Sequence, residues 1–209
     1  LGPRLFAAHC RYVDDADMRL LGSRGVIVSH QASMAANRGA LPPIPKLRAA
    51  GCKIALGTDN NTNDLFSVMK VALLTERIAR ADDARPGTRP QPEDMLADAA
   101  QGGAAAVNQE ADLGLLEVGR KADIIVIDTM KAYLQPHGRI LSAIIHSGNS
   151  SDVESLMVDG QFVMRSNKVL TMDEPTIIAD AAKVSKRVWD RVRQSNPPIP
   201  IPREPRPGA

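Results

Sequence analysis

Three short apolar runs, each ending on a side chain capable of chemistry, constrain this chain more than any other feature. Residues 4–10 read Arg-Leu-Phe-Ala-Ala-His-Cys and carry His9 at their end, and residues 25–30 read Gly-Val-Ile-Val-Ser-His and finish on His30. Residues 53–61 read Lys-Ile-Ala-Leu-Gly-Thr-Asp-Asn-Asn, an apolar run that reaches a glycine and then presents Asp59. Short apolar runs bounded by turn residues are read as buried strands. The segment between the first two, residues 14–23, places Met18, Leu20 and Leu21 at helical intervals with Gly22 near the stop. After the second, a loop holding Asn37, Arg38 and Gly39 leads to a proline-bounded short helix through about Ala50, closed by Gly51. Each unit is strand, loop, helix, with strand starts separated by roughly the twenty-odd residues that successive βα units need. Three such units form a slice of parallel sheet, whereas a closed α/β barrel takes eight. In such barrels the loops after the strands gather at one face and hold the chemistry, so Asp59 is the first candidate for a catalytic metal ligand.

Downstream, residues 63–80 form the clearest helix, with Leu65, Val68, Met69, Ala72 and Leu73 on one face. Residues 81–92, rich in Asp, Arg and Pro, read as a solvated loop. A second helix from about Pro92 carries Met95, Leu96, Ala99 and Ala100, then turns Gly/Ala-rich through Val107, a composition suited to close packing against another helix. From Leu113 the period changes to that of strands. Residues 122–128 are a strand, residues 142–146 a strand or short helix, and residues 153–169 a hairpin turning on Asp159-Gly160. A last helix begins at Asp173-Glu-Pro with the apolar stripe Ile177, Ala181, Val184, Val188 and Val192, followed by a proline-rich tail.

The bulk properties narrow the partners. A net charge of +2 over 209 residues suggests neither a nucleic-acid nor a membrane-surface protein, and no apolar run approaches the ~18 residues of a membrane span. Two cysteines, Cys10 and Cys52, make no disulfide framework and suit a reducing, cytoplasmic setting. The start has neither an initiator Met nor a signal-peptide pattern and enters directly into a strand-like run, so the natural N-terminal part is expected to be absent. Three strand units without partners would leave two unpaired edges, and the chain alone is expected to self-associate.

Each candidate residue has a plainer reading beside the chemical one. Asp59 could be a turn or helix-capping aspartate. His9 could be a hydrogen-bonded core histidine, and His30 divides evenly between pocket lining and structural support. Asn60, Asn61 and Asn63 cap the long helix or touch substrate, with capping favoured. Asn37 and Arg38 contact substrate or sit in a solvated loop. Cys10 is not a nucleophile paired with His9, because successive strand residues point to opposite faces.

The ordered set Ala-Ala-His9-Cys, Val-Ser-His30, Leu-Gly-Thr-Asp59-Asn and Leu113-Gly-Leu-Leu-Glu-Val-Gly-Arg-Lys-Ala-Asp-Ile-Ile-Val-Ile-Asp resembles the amidohydrolase superfamily, in its branch of cytosine, guanine and adenosine-type deaminases and triazine hydrolases. The resemblance implies an α/β fold: the C-terminal part of a metal-dependent (β/α)₈ TIM barrel plus part of a small β-sandwich. Residues 1–112 would hold strands six to eight with their helices, 113–172 part of the composite sandwich, 173–195 a C-terminal helix and 196–209 the tail. Carried over, Asp59 is the eighth-strand carboxylate that binds one divalent ion, Zn²⁺ or alternatively Fe²⁺, and shuttles the proton of the nucleophilic water. His9 is the sixth-strand histidine that polarises the substrate, with His30, Asn37 and Asn60 as substrate-binding positions. The loop after His30 reads Gln-Ala-Ser-Met where relatives have Cys-Pro and Ser-Asn, which leaves the substrate open. The resemblance implies a first-strand His-X-His and a fifth-strand His as most of the metal shell; no His-X-His occurs here, so the chain alone should be inactive. The implied activity is hydrolytic deamination of an aminated purine, pyrimidine, pterin or triazine by a homodimer. The alternatives are an amide or chloro-hydrolase on the same fold, and a noncatalytic ligand-binding or oligomer-building homologue.

Overall fold

The computed structural model describes residues 2–80 and 89–195, so the expected loop lies largely, and the expected tail wholly, outside the described residues. The chain divides into two compact units, residues 1–167 and 168–209.

The first unit opens with three parallel strands, β1 (Phe6–Ala8), β2 (Ile27–His30) and β3 (Lys53–Leu56), hydrogen-bonded in that order. Their register pairs Ala8 with Ser29 and Ser29 with Ala55. Between β1 and β2 lies α1 (Asp15–Ser23), begun by a reciprocal capping box in which Asp14 accepts from the Asp17 amide and Asp17 accepts from the Asp14 amide. Between β2 and β3 the chain makes two short helices, α2 (Ala32–Asn37) and α3 (Ile44–Ala49). Helix α2 corrects the sequence reading, which ran the segment after His30 as loop. Six residues are too few to display a 3.6-residue period, and Gln31 offers no side-chain cap to announce a start.

Side chains on the two faces of the parallel sheet go to different partners, as the two-residue period of a strand requires. Val28 and Ile54 meet Met18 of α1 and Ile44 and Leu47 of α3, with Cys52 in the same cluster. Ile27 and Ala55 instead meet Ala105, near the end of α5 (Pro92–Ala106). The largest apolar cluster gathers Phe66, Val68, Met69, Ala72 and Leu73 of α4 (Leu65–Ala79) with Met95 of α5 and with Ile144 and Ile145 of α6 (Ile140–Ser147). The stripe read from the sequence is therefore the buried face of α4. Its cap is Asp64, whose carboxylate accepts from the Phe66 amide, in place of the asparagines weighed for that role. The Gly/Ala-rich part of α5 also departs from expectation: at Gly102 the close neighbour is strand β3, where a Cβ would meet the Ile54 carbonyl oxygen at 2.1 Å. A buried ion network ties three helices together. Arg48 of α3 reaches Glu76 of α4 at 3.3 Å and both carboxylate oxygens of Asp98 of α5, while Arg80 holds Glu76 at 2.8 Å.

A second, antiparallel sheet carries β4 (Ile124–Ile127), β5 (Val153–Val158) and β6 (Gln161–Arg165). The β5–β6 turn is Asp159-Gly160, both at positive φ, as a tight two-residue hairpin turn requires. Residues 140–147, ambiguous in sequence, are helical because Ile144 and Ile145 bury against α4 and α5. The second unit holds the short strand β7 (Lys168–Val169) and α7 (Glu174–Ser195), capped by Asp173, which accepts from the Thr176 amide and hydroxyl. Ile177, Val184 and Val188 of its apolar stripe are exposed. No helix among the described residues is long and apolar enough to cross a membrane.

Candidate active site at the outlets of the parallel strands

His9 follows β1 directly and Asp59 lies three residues beyond β3, so both side chains stand at the C-terminal ends of parallel strands. His9 Nε2 lies 3.4 Å from Asp59 Oδ2. The other carboxylate oxygen, Oδ1, accepts the Asn60 amide at 2.6 Å, which fixes the carboxylate and leaves Oδ2 turned to the histidine. The His9 amide donates to the Ser29 carbonyl at 3.0 Å, extending the ladder one residue past the strand.

The backbone here is unusual. Of the seven non-glycine residues at positive φ among the described residues, His9 (65°), Cys10 (47°) and Asp59 (54°) line one cleft. A left-handed conformation costs a side-chain-bearing residue roughly 1–2 kcal/mol, and such strain tends to collect at functional sites. The cleft measures 570 Å³ and is also lined by Asn60, Met34, Arg11, Tyr12 and Arg38.

The structure thus brings together His9, Asp59 and Asn60 of the residues singled out from sequence. His30 and Asn37 do not line this cleft. His30 shares the face of β2 that Val28, two residues before it, packs against α1 and α3. It is 3% exposed and borders a small separate cavity with Pro42, Pro45, Thr75 and Glu76. Its imidazole is held down to about 4, first by burial and then by the charges of Arg48 and His9. Asn37 is the last residue of α2 and is exposed, and its neighbour Arg38 lines the cleft instead. Arg11 and Tyr12, three and four residues beyond β1, were not anticipated, because a short step past a strand carries no periodic signal. Cys10 Sγ lies 3.9 Å from the Ala7 carbonyl, and burial, then Cys52, push its thiol up, which disfavours a thiolate nucleophile.

Imidazole nitrogen and carboxylate oxygen are both ordinary zinc donors, so the facing pair suits part of a metal shell. No group of three or more His, Cys, Asp or Glu converges among the described residues. What they supply is thus a partial site.

With this geometry in place, comparison with known proteins identifies the class. Residues 1–163 match the model of the amidohydrolase family, and the chain belongs to that family. It is 37% identical over 198 residues to a 5'-deoxyadenosine deaminase of Methanosarcina barkeri, covering 92% of this chain and 44% of the relative. It is 33% identical over 194 residues to a 5-methylthioadenosine/S-adenosylhomocysteine deaminase of Desulforudis audaxviator, covering 90% and 44%. The crystal structure of an adenosine deaminase from Xanthomonas campestris with bound zinc superposes with a TM-score of 0.83 at 27% identity, over 90% of this chain and 43% of that one. The chain therefore spans less than half the length of the relatives it matches.

Proposed function

We propose that this chain contributes strand units six to eight of a (β/α)₈ barrel, with part of a small sandwich domain, to a metal-dependent hydrolase of C–N bonds. Three parallel strands with intervening helices, followed by an antiparallel sheet, support that assignment. The reaction is hydrolytic deamination of an aminated heterocycle, with 6-aminopurine nucleosides as first candidates because the relatives above are named for them. The observation that carries the reading is the 3.4 Å approach of His9 to Asp59 at the strand outlets.

The roles follow from the groups. Asp59, oriented by the Asn60 amide, takes a proton from the attacking water and returns it to the departing amine, the double role of a general base and acid. His9 stabilises the negative charge that develops on the heterocycle as the C–O bond forms, and Asn60 borders the substrate. The C–N bond then breaks and ammonia leaves. A divalent ion held in part by Asp59, Zn²⁺ or alternatively Fe²⁺, supplies when bound the lowering of a water's pKa from ~15.7 toward ~7. We place the protein in the cytoplasm, in keeping with its two free cysteines, and as a homodimer.

The test is ammonia release by the complete protein from 5'-deoxyadenosine, 5-methylthioadenosine, S-adenosylhomocysteine and aminated triazines, with elemental analysis of bound metal. Metal together with ammonia supports the deaminase, whereas a metal-free protein inert on all of them supports the noncatalytic homologue.

A further inference from the structure

Two guanidinium groups line the cleft that holds His9 and Asp59, and neither has a counter-ion among the described residues. Arg11 stands two residues beyond His9, and Arg38 is the C-cap of α2. Four other arginines of the first unit are ion-paired, Arg48 with Asp98 and Glu76, Arg80 with Glu76, Arg120 with Glu117 and Arg139 with Glu93, while Arg77 donates to the Pro90 carbonyl and Arg165 lies over the Phe162 ring. Arg11 moreover has its Nε buried without a hydrogen-bond partner. Among the described residues the only carboxylate lining the cleft is Asp59, which is engaged by His9 and by the Asn60 amide. The lining therefore carries a surplus of positive charge, and a cation on Asp59 would increase it. Unpaired arginines in a concave site are the residues of choice for a carboxylate or phosphate, which they grip through two parallel hydrogen bonds.

We propose that Arg11 and Arg38 form an anion-reading subsite, so that the substrate of this cleft is an amino heterocycle bearing a negatively charged arm. The inference rests on the deaminase reading above and sharpens it: among adenine nucleosides, a compound with a carboxylate or phosphate on the 5' side is selected over a neutral one. Met34, buried beneath the cleft, offers an apolar surface to the uncharged part of the ligand.

The experiment is calorimetric titration of the complete protein with S-adenosylhomocysteine (a carboxylate), adenosine 5'-monophosphate (a phosphate) and 5'-deoxyadenosine (no anion), alongside ammonia release from each. One anionic compound is expected to bind at least tenfold more tightly than 5'-deoxyadenosine, and which one it is tells carboxylate from phosphate. Arg11→Gln and Arg38→Gln are each expected to reduce that preference about tenfold, the loss of one charge-assisted contact. Arg38→Lys is expected to restore part of it. Arg38 is exposed, so its substitution tests the subsite without disturbing the core. Equal affinity for charged and neutral compounds, or a preference untouched in both glutamine variants, overturns the proposal. An anion preference without ammonia release sinks the deaminase reading and leaves the subsite standing. Ammonia release without an anion preference does the reverse.

Discussion

Gly102 of α5 lies against Ile54 of β3 so closely that a Cβ on the glycine would stand 2.1 Å from the Ile54 carbonyl oxygen and 3.0 Å from the Ala55 Cα. Backbone cannot yield as a flexible side chain would, so Gly102→Ala is expected to destabilise by about 1–3 kcal/mol, the usual cost of overpacking. At the adjacent Gly103 a Cβ would have nothing within 4 Å, and there alanine replaces a poor helix former with the best one. Gly103→Ala is expected to stabilise by about 0.5–1 kcal/mol. Urea midpoints of the two variants should therefore move in opposite directions, and equal shifts would contradict the helix-on-strand contact.

Arg48 is the hub of the buried ion network. Replacing it with Met leaves Asp98 without its guanidinium partner, while Glu76 keeps Arg80. Burial already pushes the Asp98 carboxyl up against the pull of Arg48, so its ionised form depends on that partner. Arg48→Met is expected to cost about 3–5 kcal/mol, as when one member of a buried pair is removed. Lys46→Ala, which removes an exposed pair with Asp15, should change stability by less than about 1 kcal/mol. Chemical denaturation of both variants checks the contrast.

His30 gives the fold a pH dependence whose sign is fixed by its environment. Burial, then Arg48 and His9, hold the folded imidazole at about 4 against an ordinary 6.5. Glu76 borders the same small cavity but is held by Arg48 and Arg80. Between those values the unfolded chain binds a proton that the folded chain refuses, so this stability is complete above pH 6.5 and drains away as pH falls toward 4. At pH 5 the loss from this residue is expected to be about 2 kcal/mol relative to pH 7. Denaturation of wild type and His30→Asn at both pH values tests it, and an identical acid loss in the two proteins would contradict the assignment.

Much of this architecture was legible in the residues, for identifiable reasons. Helix α4 showed a long apolar face, α1 and α7 announced themselves with Asp14 and Asp173, and Asp159-Gly160 signalled the hairpin. What stayed hidden depended on tertiary placement. Helix α2 is too short to show a period, and Asp64 outcompeted nearby asparagines for the cap of α4 through a single side-chain bond to Phe66. The small residues of α5 signalled a close approach, but not that a strand would be the neighbour. His30 ends its strand as His9 follows its own, yet it shares the face of Val28 and borders α3 and α4 in place of the cleft. Arg38 rather than Asn37 borders the cleft because the last turn of α2 presents one and not the other.

The proposed function assigns both metal binding and proton transfer to Asp59, and the direct measurement is the metal content of the complete protein carrying Asp59→Ala, taken beside its thermal melt and its ammonia release. The expected result is a protein that melts as wild type does but has lost both bound metal and turnover. Full metal occupancy with undiminished ammonia release in that variant would contradict the role given to this carboxylate.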